Sequence, residues 1–435
     1  MSQTEETREG FHLSEEGEWV PDGWEVKQLK EIATIGRGSS PRPIHDYLAD
    51  KGIPWIKIAD ATSTLGKTII ETKEFIKESG RSTTVFKGDL ILSNSATPGL
   101  PKFVGMEACV HDGWLTFREL QNIDKLFLYH FLLFFRKRLE LQAVGTVFKN
   151  LKTDTVKDAV IKLPLLPEQK AIAEVLGSLD DKIELLREQN ETLEALAQTL
   201  FKRWFIDFNF PDENGNPYKD SGGTMLPSEL GEIPEGWKSF ELGNFFELKS
   251  GHAFKGVEFV EKSLNSVIKI KDLNGGGSIN TSNLSFVSNG AVDNKRAKFF
   301  ELSVSDVLVA MSGNTTGKIG VFTERESKVY LNQRVGKFFN KSRLSNGFLY
   351  MFLFSGGYEK RILEMGYGSA QPNINPTQIH DITLPLPVCS ISLEFEFDHF
   401  LAKIISNTQQ IQTLTNLRDT LLPKLMKGEI RIKNL

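Results

Sequence analysis

Cysteine is scarce in this chain: two in 435 residues, Cys109 and Cys389, with no CxxC and no histidine at metal-ligand spacing. Neither a disulfide framework nor a zinc site is expected, and a reducing cytoplasm fits. Long apolar runs are missing too. The longest is LFLYHFLLFF at 126–135, well short of the ~20 residues that span a bilayer. Residues 1–18 are acidic where a secretion signal would be basic and then apolar, so neither export nor a membrane is expected. There is no basic excess: 52 Lys and Arg stand against 56 Asp and Glu, net −4, which taken whole gives no sign of a nucleic-acid partner. The seven histidines form no HxxxH or HExxH pair. With 40% hydrophobic and 25% charged residues over 435, the chain is nonetheless long and apolar enough for two or three soluble domains.

What the sequence does have is an internal repeat. VPDGWEVKQLKEIATIGRG (from Val20) reads against IPEGWKSFELGNFFELKSG (from Ile233), aligning Pro21 with Pro234, Gly23 with Gly236, Trp24 with Trp237, Leu29 with Leu242 and Gly38 with Gly251. Further on, Lys57 and Asp60 match Lys269 and Asp272, and Asp89 matches Asp306. The register continues through Leu128/Leu349, Ile161/Ile382, Leu163-Pro164/Leu384-Pro385 and Leu193/Leu414. One unit has been duplicated in tandem, with a period far too long for a solenoid. Each copy runs from short strand-like stretches through a helix and a β-like return to a long closing helix. The repeated Pro, Gly and Trp read as a structural entry turn with a buried indole.

The closing helices carry the strongest local pattern. Ile172, Leu176, Leu179, Ile183, Leu186, Asn190, Leu193, Ala197, Leu200 and Trp204 fall at alternating steps of three and four, the seam of a coiled coil. The second copy gives Leu393, Phe397, Phe400, Ile404, Asn407, Ile411, Leu414, Arg418, Leu421 and Leu425. A helix from Glu168 to about Ile206 is ~58 Å long. Each seam holds one asparagine, Asn190 and Asn407, of the kind that sets register at a cost in stability. The two helices are expected to pair antiparallel within the chain and hold the globular parts apart as a spacer, with pseudo-two-fold symmetry. The fold class expected is α+β: a tandem duplication with two globular domains separated by two long antiparallel coiled-coil helices. Its divisions are an acidic flexible tail (1–18), a first domain (19–167), a central helix (168–207), a linker (208–232), a second domain (233–388), a distal helix (389–427) and a C-terminal tail (428–435).

Catalytic patterns fail one by one. SGNTTGKIG at 312–320 is one residue short of a P-loop and places Ile319 where a magnesium-binding hydroxyl belongs. PDGWEVK at 21–27 offers Asp22 and Glu25 too close together to grip a cation from adjacent strands, and its repeat copy lacks the acidic pattern. Asn216-Pro217-Tyr218 lacks the second proline of an adenine-methylating motif. No metal site and no triad stands out, so binding leads over catalysis.

Residues 163–208, LPLLPEQKAIAEVLGSLDDKIELLREQNETLEALAQTLFKRWFIDF, resemble the central region of the specificity (S) subunit of type I restriction-modification enzymes. Residues 417–432 resemble its distal counterpart, and 226–245, 312–320 and 366–387 resemble segments flanking or inside its target recognition domains. The likeness covers nearly the whole chain in family order. It departs at 388–400, VCSISLEFEFDHF, where the family keeps a start like Pro167-Glu168-Gln169. The resemblance implies a non-catalytic DNA-recognition subunit. Each of its two target recognition domains would read one half of a bipartite site in double-stranded DNA. The helices would set the spacer and dock two methyltransferase (M) subunits using S-adenosylmethionine. Restriction (R) subunits using ATP and Mg would join through that complex. A coiled-coil scaffold whose end domains bind proteins is the alternative.

Within each domain, DNA contacts are expected from equivalent loops. Arg37, Ser39, Ser40 and Arg42 on GRGSSPRP answer to Lys249, His252 and Lys255 on KSGHAFK. Asn94, Thr97 and Lys102 on SNSATPGLPK answer to Asn314, Thr315 and Lys318. Lys149, Asn150 and Lys152 on VFKNLK answer to Ser369, Gln371 and Asn373 on GSAQPNIN. LFLYHFLLFF is read as core packing rather than a base-stacking surface. Outward charges such as Glu184, Arg187, Glu191 and Glu194 fit either a solvated face or an M-subunit dock. The acidic excess lies in residues 1–18 and the first long helix, whereas 19–167 is mildly basic, so weak DNA binding by the chain alone is expected.

Overall fold

A computed structural model describes residues 9–14, 18–143, 150–324, 328–342, 344–355, 358, 362, 373–388 and 393–432. The chain divides into two compact units, residues 1–185 with 411–435 and residues 186–410. The division passes through both long helices, so they are not separate segments. Each unit takes part of both.

In both units a strand pair, Phe11–Leu13 with Trp19–Pro21 and Met225–Ser228 with Gly231–Pro234, leads into the repeated Pro-x-Gly-Trp turn. Gly23 and Gly236 hold φ of +78° and +80°, a left-handed conformation that a side chain resists, and Trp24 and Trp237 are buried behind them. The strand that follows, Glu25–Gln28 in unit 1, pairs antiparallel with the return strand Val160–Leu163. Trp237–Glu241 pairs with Thr383–Pro387 in the same way in unit 2. The matched Leu-Pro ends of the returns thus close each domain next to its entry.

Between entry and return lie two larger sheets per unit, joined in unit 2 by a two-stranded pair, Leu273–Gly275 with Ser278–Ile279. Unit 1 has a five-stranded sheet ordered Thr34–Arg37, Trp114–Arg118, Leu90–Ser93, Pro101–Val104, Thr68–Ile69. Its second sheet is ordered Leu48–Ala49, Phe75–Ile76, Ile53–Ile56, Ala108–Val110, Thr84–Val85. Unit 2 repeats the plan with four strands each: Phe246–Ser250, Val335–Asn340, Val307–Ala310, Ile319–Val321, and Phe259–Val260, Ser285–Val287, Asn265–Ile268, Lys328–Leu331. The matched charges are turn builders. Asp60 and Asp272 each accept the backbone N–H of the lysine three residues earlier at 2.8 Å. Asp89 and Asp306 accept those of Phe86 and Ser303 at 3.0 and 2.7 Å.

LFLYHFLLFF lies in the helix Lys125–Gln142, capped by Asp124, and Phe127, Leu128, Phe131 and Leu132 are buried in the core of unit 1. Its counterpart Asn346–Phe354 is buried along nearly its whole length. Such all-round burial suits core helices.

The central helix is Leu166–Phe201, continued by a π-helical turn Lys202–Ile206; the distal helix is Leu393–Met426. Residues 389–392, where an earlier start was expected, lie outside the described residues. Inside unit 2 the helices run antiparallel: Asn407 Nδ2 donates to Asn190 Oδ1 at 2.9 Å, and farther along Phe201 meets Phe397 with ring centroids 5.6 Å apart. The two seam asparagines therefore find each other, and Asn190 Nδ2 also donates to Thr408 Oγ1 at 3.2 Å. Among the seam residues, Ile172, Leu176, Ile183, Leu186, Ile404 and Asn407 are buried, while Leu179, Leu193, Leu200, Phe400, Ile411, Leu414 and Leu421 are half-buried. The apolar face is wider than an a/d stripe. Leu401 and Ile405 share a core with strands and helices of unit 2, and Ile172 and Leu176 share one with those of unit 1. Each helix half is thus a wall of its own domain.

Two polar clusters fasten unit 1 to its helices. Asp180 is 8% exposed and sits between His130 Nε2 (3.0 Å) and Arg418 Nη1 (2.9 Å). Glu168 takes both Nε and Nη2 of Arg431 at 2.6 and 2.8 Å and the Trp24 indole N–H at 3.1 Å. Beside it, the buried Gln169 accepts from Asp124 N–H and donates to the carbonyls of Asn122 and Pro164. Among the outward charges, Glu184 accepts from Lys67 N–H, and Glu194 accepts from the Tyr350 hydroxyl at 3.2 Å. Burial pushes the Glu194 carboxyl up to about 7, so neither residue is simply solvated.

Candidate nucleic-acid interface

In unit 1 three of the expected loops are chained together beside one turn, 111–113. Gly38 N–H donates to Trp114 O at 2.8 Å, Asn94 N–H to Gly113 O at 2.9 Å, and Leu151 N–H to Asn94 O at 2.7 Å. Ser95 and Asn150 form a bridge. Unit 2 reproduces the set: Gly251 N–H to Val335 O at 3.0 Å, Met311 N–H to Arg334 O at 2.9 Å, Ile374 N–H to Met311 O at 2.9 Å, with Ser312 bridged to Asn373. The repeated glycine is required by space. A Cβ on Gly38 would lie 2.1 Å from His111 O, and one on Gly251 would lie 2.4 Å from Leu331 O.

The side chains around the unit 1 turn meet at Asp112, which sequence reasoning did not single out. Arg37 Nε donates to its carbonyl at 2.8 Å and Ser40 Oγ to its carboxylate at 2.9 Å, with Arg42 Nη2 3.7 Å from that carboxylate. Burial works to raise the Asp112 pKa, but the Ser40 hydroxyl, its own backbone N–H, His111 and Arg37 outweigh it and hold the carboxyl below its ordinary value. His111 moves down, chiefly through burial. Gly113 N–H donates to His111 Nδ1 at 2.8 Å, which makes Nδ1 an acceptor and leaves Nε2 to carry the proton. These residues edge a cleft of about 1010 Å³ lined by Ser40, Arg42, Trp55, Lys57, Ala96 and His111, among others. Lys57 is paired there with Glu74.

The expected contact residues divide. Arg37, Ser39, Arg42, Asn150, Lys152, Lys255, Asn314 and Asn373 are exposed; Ser40, Thr97, His252, Thr315 and Lys318 are half-buried. Lys149, Ser369 and Gln371 lie outside the described residues. Others turn inward. Asn94 is 2% exposed and donates to Asp112 O at 3.2 Å. Lys102 is 5% exposed, with its ammonium on the carbonyls of Thr64 and Gly66; it closes a turn and presents no charge to a ligand. Lys249 lies in the strand Phe246–Ser250, where it pairs with Glu247 at 2.9 Å and covers the Phe299 and Phe339 rings. Thr315 Oγ1 donates to Ile270 O at 3.0 Å. Among the described residues no group of three or more His, Cys, Asp or Glu side chains is placed to hold a metal, and no helix is long and apolar enough to cross a membrane.

The family described as type I restriction modification DNA specificity domain matches residues 21–195 and again 234–421. The chain belongs to the type I restriction-modification DNA specificity family. The specificity family forms the DNA-recognizing, non-catalytic part of such systems, and the two matched segments coincide with the two copies of the repeat. Among relatives, the MjaIX specificity subunit of Methanocaldococcus jannaschii is 28% identical over 431 residues, covering 96% of this chain and 95% of the relative. The EcoBI specificity subunit of Escherichia coli is 23% identical, covering 94% and 87%. The crystal structure of the type I S subunit from M. genitalium shares the fold, with a TM-score of 0.56 at 18% identity, covering 92% and 96%.

Proposed function

We propose that this specificity subunit reads a bipartite site in double-stranded DNA, with one half-site assigned to the domain at 19–167 and the other to the domain at 233–388. The observation that carries this is the repeated hub: the same backbone bonds gather the same loops in both units, yet the exposed side chains on them differ, Arg37, Ser39 and Arg42 against Lys255 and Asn314. A shared scaffold with divergent tips is what two readers of different sequences require. The long helices set the spacer between half-sites and dock two M subunits, which bring S-adenosylmethionine; R subunits, with ATP and Mg, join through that complex. No bond-making step falls to this chain.

The test is selection from random duplexes by the chain assembled with M subunits. Two separated preferred half-sites are expected, with binding that weakens steeply with salt. Absence of any preference defeats the reading, and partner binding without a DNA footprint would replace it with a protein scaffold.

A further inference from the structure

Both hubs are built around a tight turn that ties two sheet strands together. In unit 1 it is His111-Asp112-Gly113, closed by Trp114 N–H to His111 O at 3.1 Å; in unit 2 it is Asn332-Gln333-Arg334, closed by Val335 N–H to Asn332 O at 3.0 Å. Gly113 O and Arg334 O accept equivalent backbone bonds from Asn94 and Met311. The turns therefore occupy one structural position at the meeting point of the candidate loops, while no residue type is shared between them.

Their side chains are also employed differently. In unit 1 the turn serves its own loops: the Asp112 carboxylate takes the Ser40 hydroxyl and lies 3.7 Å from Arg42, while its backbone carbonyl takes Arg37, and the His111 ring is fixed by Gly113 N–H. In unit 2 Gln333 and Arg334 are exposed, and neither side chain makes a hydrogen bond or ion pair among the described residues. Their backbone, by contrast, is fixed. Arg334 O is bonded to Met311, and the turn leads directly into the strand Val335–Asn340, paired on both sides by Phe246–Ser250 and Val307–Ala310. A guanidinium fork and a primary amide held on a rigid turn are the groups that read guanine and adenine edges bidentately in the major groove.

We propose that Arg334 and Gln333 are specificity-determining residues of unit 2, Arg334 for a guanine and Gln333 for a neighbouring adenine in the half-site that this unit reads. The proposal rests on the DNA-recognition reading above and adds residues that the loop comparison did not contain.

The experiment uses the full chain assembled with M subunits, as wild type, Arg334→Ala, Arg334→Lys and Gln333→Ala, each selecting from the same random duplex pool at two salt concentrations. In wild type, one half-site should contain a G·C pair whose preference falls roughly ten- to hundredfold in Arg334→Ala. The other half-site should be unchanged. Arg334→Lys should lose the same preference while keeping the salt dependence, because it keeps the charge and removes the fork. Gln333→Ala should relax an adjacent A·T position. A wild-type complex with no sequence preference would overturn both the DNA reading and this assignment. A selective wild type whose variants keep every preference would overturn the assignment alone. So would an equal loss of binding on all sequences with a shallower salt slope, which would make Arg334 a phosphate contact.

Discussion

Replacing Arg418 with alanine removes the charge 2.9 Å from the Asp180 carboxylate and leaves that carboxylate, 8% exposed, with His130 as its remaining partner. Breaking a buried ion pair from one side costs ~3–5 kcal/mol. The Arg418 side chain is 25% exposed and His130 stays, so the expected loss is roughly 2 kcal/mol. In a unit of roughly 210 residues this lowers the transition by about 4–8 °C. The pH dependence follows from the direction of the Asp180 shift. Burial would raise its pKa, but the bonds from His130 and Arg418 outweigh burial and hold it below the ordinary value. A depressed folded-state pKa stabilizes the fold above the unfolded carboxylate value, ~3.9, and that stabilization is lost as pH falls through the folded value. In Arg418→Ala burial faces weaker opposition and the folded pKa rises. The gap between wild type and variant should be full at pH 7 and close as pH falls from the variant's raised value through the wild type's lowered one. Hydrogen exchange of residues 125–142 reads the opening of unit 1, and urea denaturation gives the overall change. A wild-type opening energy in Arg418→Ala at pH 7 would refute the reasoning. A gap that persists once Asp180 is protonated would show that Arg418 acts through its aliphatic packing.

Two further outcomes follow from groups that face inward. Lys102→Met should destabilize unit 1 by about 2 kcal/mol, because it strips charge-assisted bonds from the Thr64 and Gly66 carbonyls. The salt slope of non-specific DNA binding should stay unchanged, and a slope reduced by one phosphate contact would restore Lys102 to the interface. The double substitution Asn190→Leu and Asn407→Leu should raise the unfolding free energy by about 1–2 kcal/mol, and with it the denaturation midpoint, since Asn407 is fully buried and its Oδ1 lacks a partner among the described residues. A lower midpoint would show that the Asn190–Asn407 bond outweighs its desolvation.

What the repeat revealed and what it concealed have one physical origin. Matched residues survive where the backbone itself makes the demand. Gly23 and Gly236 occupy left-handed φ, Gly38 and Gly251 have no room for a Cβ, and Asp60, Asp272, Asp89 and Asp306 cap turns. Such demands appear as identities between the copies and can be seen without coordinates. The seam asparagines were legible for the same reason, as polar interruptions of a strict period that must face each other once the helices pair antiparallel. The turns at 111–113 and 332–334 share backbone bonds but meet different local demands: a Cβ on Gly113 would lie 2.2 Å from the His111 ring, whereas an arginine stands at the equivalent place in unit 2, so no identity marks them. The fates of Asn94, Lys102 and Lys249 were equally hidden. Whether a loop lysine reaches solvent or lies on the Thr64 and Gly66 carbonyls depends on neighbours distant in sequence, as does the clasp between Glu168 and Arg431, 263 residues apart. A domain built this way is legible in its scaffold and silent at its tips, so the equivalent positions Asp112 and Gln333, and Gly113 and Arg334, are where comparison of the two copies has least to say and substitution experiments have most.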